Sequence, residues 1–301
     1  FAASCFSFFY RKCLRPGHNL LLRYGAGSWA VVTGASDGIG KAFALELAAR
    51  GFNIVLIARN QKKMEGVVEE IKAINSTVQT RIVIADFTNS FKPNFFEKIY
   101  KQVEDLDISI LINNAGDIQR DLFDRILPSN LFGLMLLNCV PYTMMTKFLL
   151  EKLMNRNKRS AIISISSLLA DHYKLYAPIY CATKRYNDIQ TRALAKEYGN
   201  KIDILSCKPG LVSSQLTFRK EDWLTAAPQK FVKCALKQLG HTNEIHGHWK
   251  HYLKERQMTV LEYFPDSWVF GKKEDYMKLN EKLNNLYSQR KIEETKSANN
   301  Q

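Results

Sequence analysis

The chain has 301 residues and is expected to fold as an α/β domain built on a doubly wound parallel sheet. Three observations lead there. Short runs of β-branched and apolar residues alternate in order with runs at helical spacing, the pattern of a parallel sheet covered on both faces. The first such run passes straight into a glycine-rich turn and then a helix, the context in which a dinucleotide-binding motif works. Length alone suggests about two domains, but neither repeat nor low-complexity linker breaks the alternation, which argues for one. The expected organisation is an N-terminal arm over 1–24, one nucleotide-binding domain over 25–271, and a polar helical tail over 272–301.

Trp29-Ala30-Val31-Val32 reads as the first buried strand. It enters Thr33-Gly34-Ala35-Ser36-Asp37-Gly38-Ile39-Gly40, where Gly34 permits a tight turn and Gly38 and Gly40 let backbone N–H groups and a helix N-terminus approach a pyrophosphate. Ser36, Asp37 and Ile39 complete that loop. Lys41 to Arg50 has strong helix formers, and Gly51 ends it. The second strand is Asn53-Ile54-Val55-Leu56-Ile57, followed by Ala58-Arg59-Asn60 with Lys62 and Lys63. An acid at that point would hold a ribose 2′-hydroxyl. A guanidinium suits a 2′-phosphate instead, so Arg59 favours NADP(H) over NAD(H), the alternative being a solvated basic turn. The third strand, Arg81 to Ala85, ends at Asp86, placed to reach an adenine. The fourth, Ile108 to Ile112, runs into Asn113-Asn114-Ala115-Gly116, whose last three residues are candidate cofactor contacts.

Tyr180 and Lys184 stand four residues apart, one above the other on a helix, and Ser167 lies thirteen residues before the tyrosine. An ammonium beside a phenol is expected to lower its pKa, and such a tyrosine can pass a proton to or from an alcohol oxygen. A serine hydroxyl can hold the same oxygen. With a hydride carrier alongside, the trio makes an alcohol–ketone site.

These residues and motifs resemble the short-chain dehydrogenase/reductase family and its Rossmann fold: Thr33–Gly40, Asn113–Gly116, Ser167, Tyr180, Lys184 and the turn Pro209-Gly210-Leu211-Val212-Ser213-Ser214. The resemblance implies that Pro209, Gly210 and Val212 lie beside the nicotinamide, and that Tyr180 and Lys184 touch the cofactor as well as the substrate. It also makes Asn138 the fourth catalytic residue, anchoring a water that links Lys184 to solvent. Trp29–Lys41 and Phe231-Val232-Lys233-Cys234-Ala235-Leu236-Lys237 are similar to the 17β-hydroxysteroid dehydrogenase / very-long-chain 3-oxoacyl-CoA reductase group, over about 25 to 269. That implies an NADP(H)-dependent reductase acting on a lipid ketone at the endoplasmic reticulum membrane. The chain departs from that group in several places, among them the following. A charged stretch, His248 to Arg256, stands where the group has an apolar helix. Leu168-Leu169-Ala170-Asp171 is bulkier than usual after the serine, and Pro141 falls within the helix carrying Asn138. Proline is expected to open that helix between 138 and 141, freeing the Leu137 carbonyl.

The formal net charge is +14, but the basic residues are dispersed without a nucleic-acid-binding motif, so an anionic cofactor, acyl-CoA or acidic partner is expected rather than nucleic acid. Six cysteines show neither zinc nor disulfide spacing and are read as reduced thiols. His241, His246, His248 and His251 lack accompanying Cys or carboxylate ligands, so no metal is expected. Tyr173 and Tyr176 either line the substrate pocket or pack. No stretch reads as about 18 uncharged apolar residues, so peripheral rather than membrane-spanning attachment is expected. The basic, acid-free start before Asp37 fits a processed organelle-targeting region, hence a mitochondrial location, or a truncated chain. The rival to a reductase is an accessory subunit of a large mitochondrial membrane complex. In that reading His246 to Arg256 and the tail, with its stripe Tyr276, Leu279, Leu283 and Leu286, contact other proteins.

Overall fold

The computed structural model describes residues 15–261 apart from 215, 218–220 and 224, and beyond them residues 263, 278, 281, 282, 285 and 289. Its seven strands are β1 (Trp29–Thr33), β2 (Asn53–Ala58), β3 (Thr80–Ile84), β4 (Ile108–Asn113), β5 (Ser160–Ile165), β6 (Ile202–Cys207) and β7 (Glu244–Ile245). They form one parallel sheet in the order β3-β2-β1-β4-β5-β6-β7, as a doubly wound domain requires. Every residue of β1, β4, β5 and β6 is buried, which is why β1 and β4 read as near-continuous apolar runs rather than alternating ones.

Helices α1 (Leu20–Tyr24), α2 (Gly38–Ala49), α3 (Gln61–Ile74) and α7 (Pro228–Gln238) bury their apolar faces in one core, with Phe43, Leu47, Met64 and Phe231 among its buried side chains. Helices α4 (Phe95–Lys101), α5 (Pro128–Met154) and α6 (Pro178–Tyr198) bury Phe96, Met145, Leu149 and Ala195 in the other. Each such large side chain stabilises the fold by roughly 2 kcal/mol relative to exposure. Helix α2 ends as its sequence foretells, with Gly51 at φ +93° just beyond the last turn. After β7 the chain forms α8 (Trp249–Leu261), whose own His251 is buried.

Residues 20–24, assigned by sequence to the arm, belong to the packed domain. Leu20 and Tyr24 are in the core, and the Tyr24 hydroxyl donates to Asp203 at 2.7 Å. Arg23 and Arg159 pair with the same carboxylate. Helix α5 corrects two expectations. It runs unbroken through Pro141, because a proline removes only one backbone donor and the packed turns on either side hold the helix together. It is also long and apolar enough, by length and composition alone, to cross a membrane. Its buried Leu134, Tyr142, Met145, Leu149 and Leu153 pack in the core against β4, β5 and α6, while Phe132 and Met135 are exposed. The readings made of 1–14 and of the tail stripe at 276, 279, 283 and 286 lie outside the described residues.

Candidate active site

The glycine turn and the Asn113–Gly116 motif meet where β1 and β4 end side by side. The Thr33 hydroxyl accepts from the backbone N–H of Asn114 (2.9 Å) and of Ala115 (3.1 Å). The Asn114 amide donates back to the carbonyls of Thr33 (3.0 Å) and Gly34 (3.3 Å). Gly34 has φ +64°, and a Cβ there would lie 2.9 Å from the Asn114 amide nitrogen, so only glycine turns the chain at this point. The cleft beyond is lined by Gly34, Ser36, Asp37, Gly38, Ile39, Arg59, Asp86, Asn114, Ala115 and Gly116, as the sequence proposes. Ser214, the last residue of the Pro209–Ser214 turn, lines it too, as do Phe87, Thr88, Asp117, Leu137 and Leu216, which were missed because none belongs to a glycine or strand-end signature.

The residues of this cleft fit a dinucleotide. Asp37 caps α2, its carboxylate accepting from the Gly38 N–H at 2.7 Å. The Ile39 N–H, also in the first turn, has no intrahelical acceptor and is a donor a pyrophosphate would use. Gly40 lies against the turn itself, where a Cβ would come within 2.2 Å of the Gly34 carbonyl oxygen. It serves the close packing of helix on turn and does not line the cleft. One carboxylate oxygen of Asp86 accepts from the Thr88 N–H (3.0 Å) and hydroxyl (2.8 Å), which fixes the loop at the adenine end.

At the inner end of the cleft, Gly116 brings the nucleotide residues to the catalytic ones. A Cβ on it would lie 3.1 Å from Asn138 Oδ1 and 3.3 Å from Lys184 Nζ. Asn138 is buried on α5. Its side chain accepts from the Asp117 N–H (2.9 Å) and donates to the Asp117 carbonyl and the Thr183 hydroxyl (both 3.0 Å). Its carbonyl accepts from the Asn187 amide at 2.9 Å. Ser167 caps a short 3-10 turn after β5, its hydroxyl accepting from the Leu169 N–H at 3.2 Å, and it acts on the Tyr180 phenol. Tyr180 and Lys184 stand on one face at the start of α6, with Lys184 Nζ 5.8 Å from the Tyr180 ring centre.

The electrostatics correct one expectation. Burial pushes the Tyr180 phenol up from its ordinary value, while the Ser167 hydrogen bond and Arg120 draw it down, and Lys184 is not among the causes. The lysine instead donates to the Ile165 carbonyl (3.0 Å) and the Tyr142 hydroxyl (3.3 Å), and burial lowers its own pKa to about 8. Charge–phenol proximity was legible in the spacing, whereas the depth of burial was not. Arg120, Tyr142 and Asn187 went unmarked because their parts arise only when separate elements pack together.

Pro209, Gly210 and Val212 lie past β6, outside the cleft lining. The Pro209 carbonyl accepts from the Leu168 N–H at 2.9 Å. Gly210 sits under Leu168 and His251, either of which a Cβ would meet at 3.0 Å. Val212 bridges to Ala226. Lys208, just before this turn, is buried between Asp171 and Glu244, with which it forms ion pairs. It was not foreseen. His251 is buried with its ring nitrogens near the carbonyls of His246 and Leu211, His246 packs on Tyr252, and His241 packs on His18. Tyr173 is exposed, while Tyr176 is buried in the left-handed region at φ 65°.

A sequence profile described as short chain dehydrogenase matches residues 28–225. Very-long-chain 3-oxoacyl-CoA reductase of Bos taurus is 33% identical over 89% of this chain and 85% of that protein. The human protein named inactive hydroxysteroid dehydrogenase-like protein 1 is 33% identical over 84% of this chain and 77% of its own length. Among solved structures, a short-chain dehydrogenase from Sphingobium yanoikuyae in complex with NADPH superposes with a TM-score of 0.64 at 22% identity, covering 80% of this chain and 97% of that one.

Proposed function

The chain belongs to the short-chain dehydrogenase family, and from that premise we propose that it is an NADP(H)-dependent oxidoreductase reducing a ketone of a lipid substrate, a 3-oxoacyl-CoA or a ketosteroid, to an alcohol. The observation that carries the reading is Lys184 5.8 Å from the Tyr180 ring centre and beside Gly116, at the inner end of a dinucleotide cleft, with Ser167 acting on the Tyr180 phenol. Arg59 in the cleft lining, with no acid at the end of β2, supports the 2′-phosphate form of the cofactor.

When bound, the nicotinamide supplies the hydride that reaches the ketone carbon. Tyr180 gives its phenolic proton to the forming alkoxide oxygen, and Ser167 donates a hydrogen bond to the same oxygen. A phenol raised by burial stays protonated at neutral pH, which suits it to donate in the reductive direction. Ser167 and Arg120 favour the negative charge left on Tyr180, while Lys184, with a pKa of about 8, is mostly charged at pH 7 and would hold the cofactor from its place beside Gly116. Asn138 holds the Asp117 backbone and so fixes the loop that follows Gly116.

The proposal includes peripheral attachment at a mitochondrial membrane, with the endoplasmic reticulum membrane as the alternative. The net charge of +14 supports attraction to an anionic surface. A complete catalytic constellation gives the accessory-subunit reading no support of its own. NADPH oxidation with a panel of 3-oxoacyl-CoAs and ketosteroids tests the reading. Turnover of one class is expected, and silence across the whole panel with NADPH bound would contradict it.

A further inference from the structure

Lys184 is held from the side opposite the chemistry assigned to it. Its ammonium is buried and its acceptors are the Ile165 carbonyl at 3.0 Å and the Tyr142 hydroxyl at 3.3 Å. Tyr142 stands one turn after Asn138 on α5 and is itself 2% exposed. Its hydroxyl donates to the same Ile165 carbonyl at 2.8 Å. The three polar atoms therefore close a triangle across α5, β5 and α6. A phenol that gives its proton to a carbonyl turns its lone pairs to its other neighbour, so Tyr142 faces Lys184 as an acceptor. The ammonium lies 5.2 Å from the Tyr142 ring centre, nearer than the 5.8 Å to Tyr180, and the ring face adds a further attraction.

Nearby groups that could support this charge are otherwise engaged. The Asn138 side chain bonds Asp117 and Thr183, and its carbonyl takes the Asn187 amide. Apart from burial, the titratable group acting on Lys184 is Cys139 of α5. Tyr180 faces it from its own helix, and Cys207 of β6 acts on Tyr142. A buried ammonium held by acceptors and not by a carboxylate depends on each of them.

We propose that Tyr142 is a positioning residue that fixes Lys184 between β5 and the cleft and keeps its buried ammonium charged. Its meaning for catalysis rests on the reductase reading, but its contact with Lys184 does not. Two of the three ammonium N–H groups go to Ile165 and Tyr142, which leaves the third for the cleft side.

Labelling lysine at 13Cε in the full chain reads the Lys184 titration by NMR, with K184R identifying the resonance. In Y142F the Lys184 pKa is expected to fall by about one unit, tenfold in its protonation constant, while the other lysines stay in place. An unmoved Lys184 titration in folded Y142F overturns the proposal. If Y142F does not fold, 13Cζ-tyrosine labelling of the unmodified protein reads the same contact. The Tyr142 resonance is then expected to titrate in step with Lys184, and a flat Tyr142 signal through that range overturns the proposal. Neither measurement needs turnover. A protein that reduces none of the ketones but shows the coupled titration refutes the reductase reading and keeps the role of Tyr142.

Discussion

Arg59 and Lys184 carry the two single-residue claims that are cheapest to test. Arg59 lines the cleft at the end of β2, where a carboxylate would repel a 2′-phosphate. R59D is expected to move preference from NADPH toward NADH by at least about tenfold, the worth of one charge-assisted contact. Equal dissociation constants for the two cofactors in the unmodified protein would show that Arg59 does not discriminate. Lys184 sets the pH dependence. Its pKa is lowered to about 8, so the ammonium is present below that value and lost as pH rises through it. The reductase rate is therefore expected to fall on an alkaline limb centred near pH 8. A rate still level at pH 10 would mean that this charge is not needed. Ser167, Tyr180 and Lys184 were legible in the sequence because a helix repeats every 3.6 residues and puts the last two on one face. Tyr142 was not, since it lies 42 residues before Lys184 and meets it only through the packing of α5 against α6.

Asp203 shows at the scale of elements how a segment read as a loose arm becomes part of the domain. It opens β6 and collects Arg23 and Tyr24 of α1 together with Arg159, which precedes β5. Burial alone would raise its carboxyl, but the hydrogen bonds from Arg23, Tyr24 and Arg159 outweigh that and hold it below the ordinary carboxylate value. A depressed carboxyl contributes stability that is complete above its unfolded pKa of about 4 and is lost as pH falls through the lower folded value. D203N is expected to cost about 2 kcal/mol in urea unfolding at pH 7, and to weaken the acid dependence of stability below pH 4. A variant as stable as the parent would mean that apolar packing of Leu20 and Tyr24 suffices. Lys208 makes a similar tie, joining Asp171 after the Ser167 turn to Glu244 of β7. K208M is expected to lower stability by about 2 kcal/mol, read as a drop in Tm. An unchanged Tm would show that Arg185 and Arg192 hold the two carboxylates by themselves. Sequence could not anticipate either cluster, because each partner is an ordinary surface-type residue until the sheet brings it in.

Across the whole molecule, the architecture was the most readable feature. Strands β1 to β4 were marked by short apolar, β-branched runs, each ending in a turn with its own chemical signature. Strand β7 has two residues, too few to show any periodicity, and is held by pairing to β6. Helix α5 departed from its reading twice, since Pro141 suggested a break where the helix is continuous, and no spanning stretch was expected where the helix is long and apolar enough to cross a membrane. All these elements deliver one arrangement, a dinucleotide cleft whose inner end at Gly116 meets Asn138 and Lys184, with Tyr180 beside the lysine. The most direct test of it is the NADPH-dependent reduction rate of Y180F beside the parent protein, with NADPH binding measured in parallel. The phenyl ring keeps the packing and removes only the proton donor. The rate is expected to fall by about 10²–10⁴ with the NADPH dissociation constant nearly unchanged. Retention of most of the parent rate would show that the proton comes from elsewhere and would contradict the account.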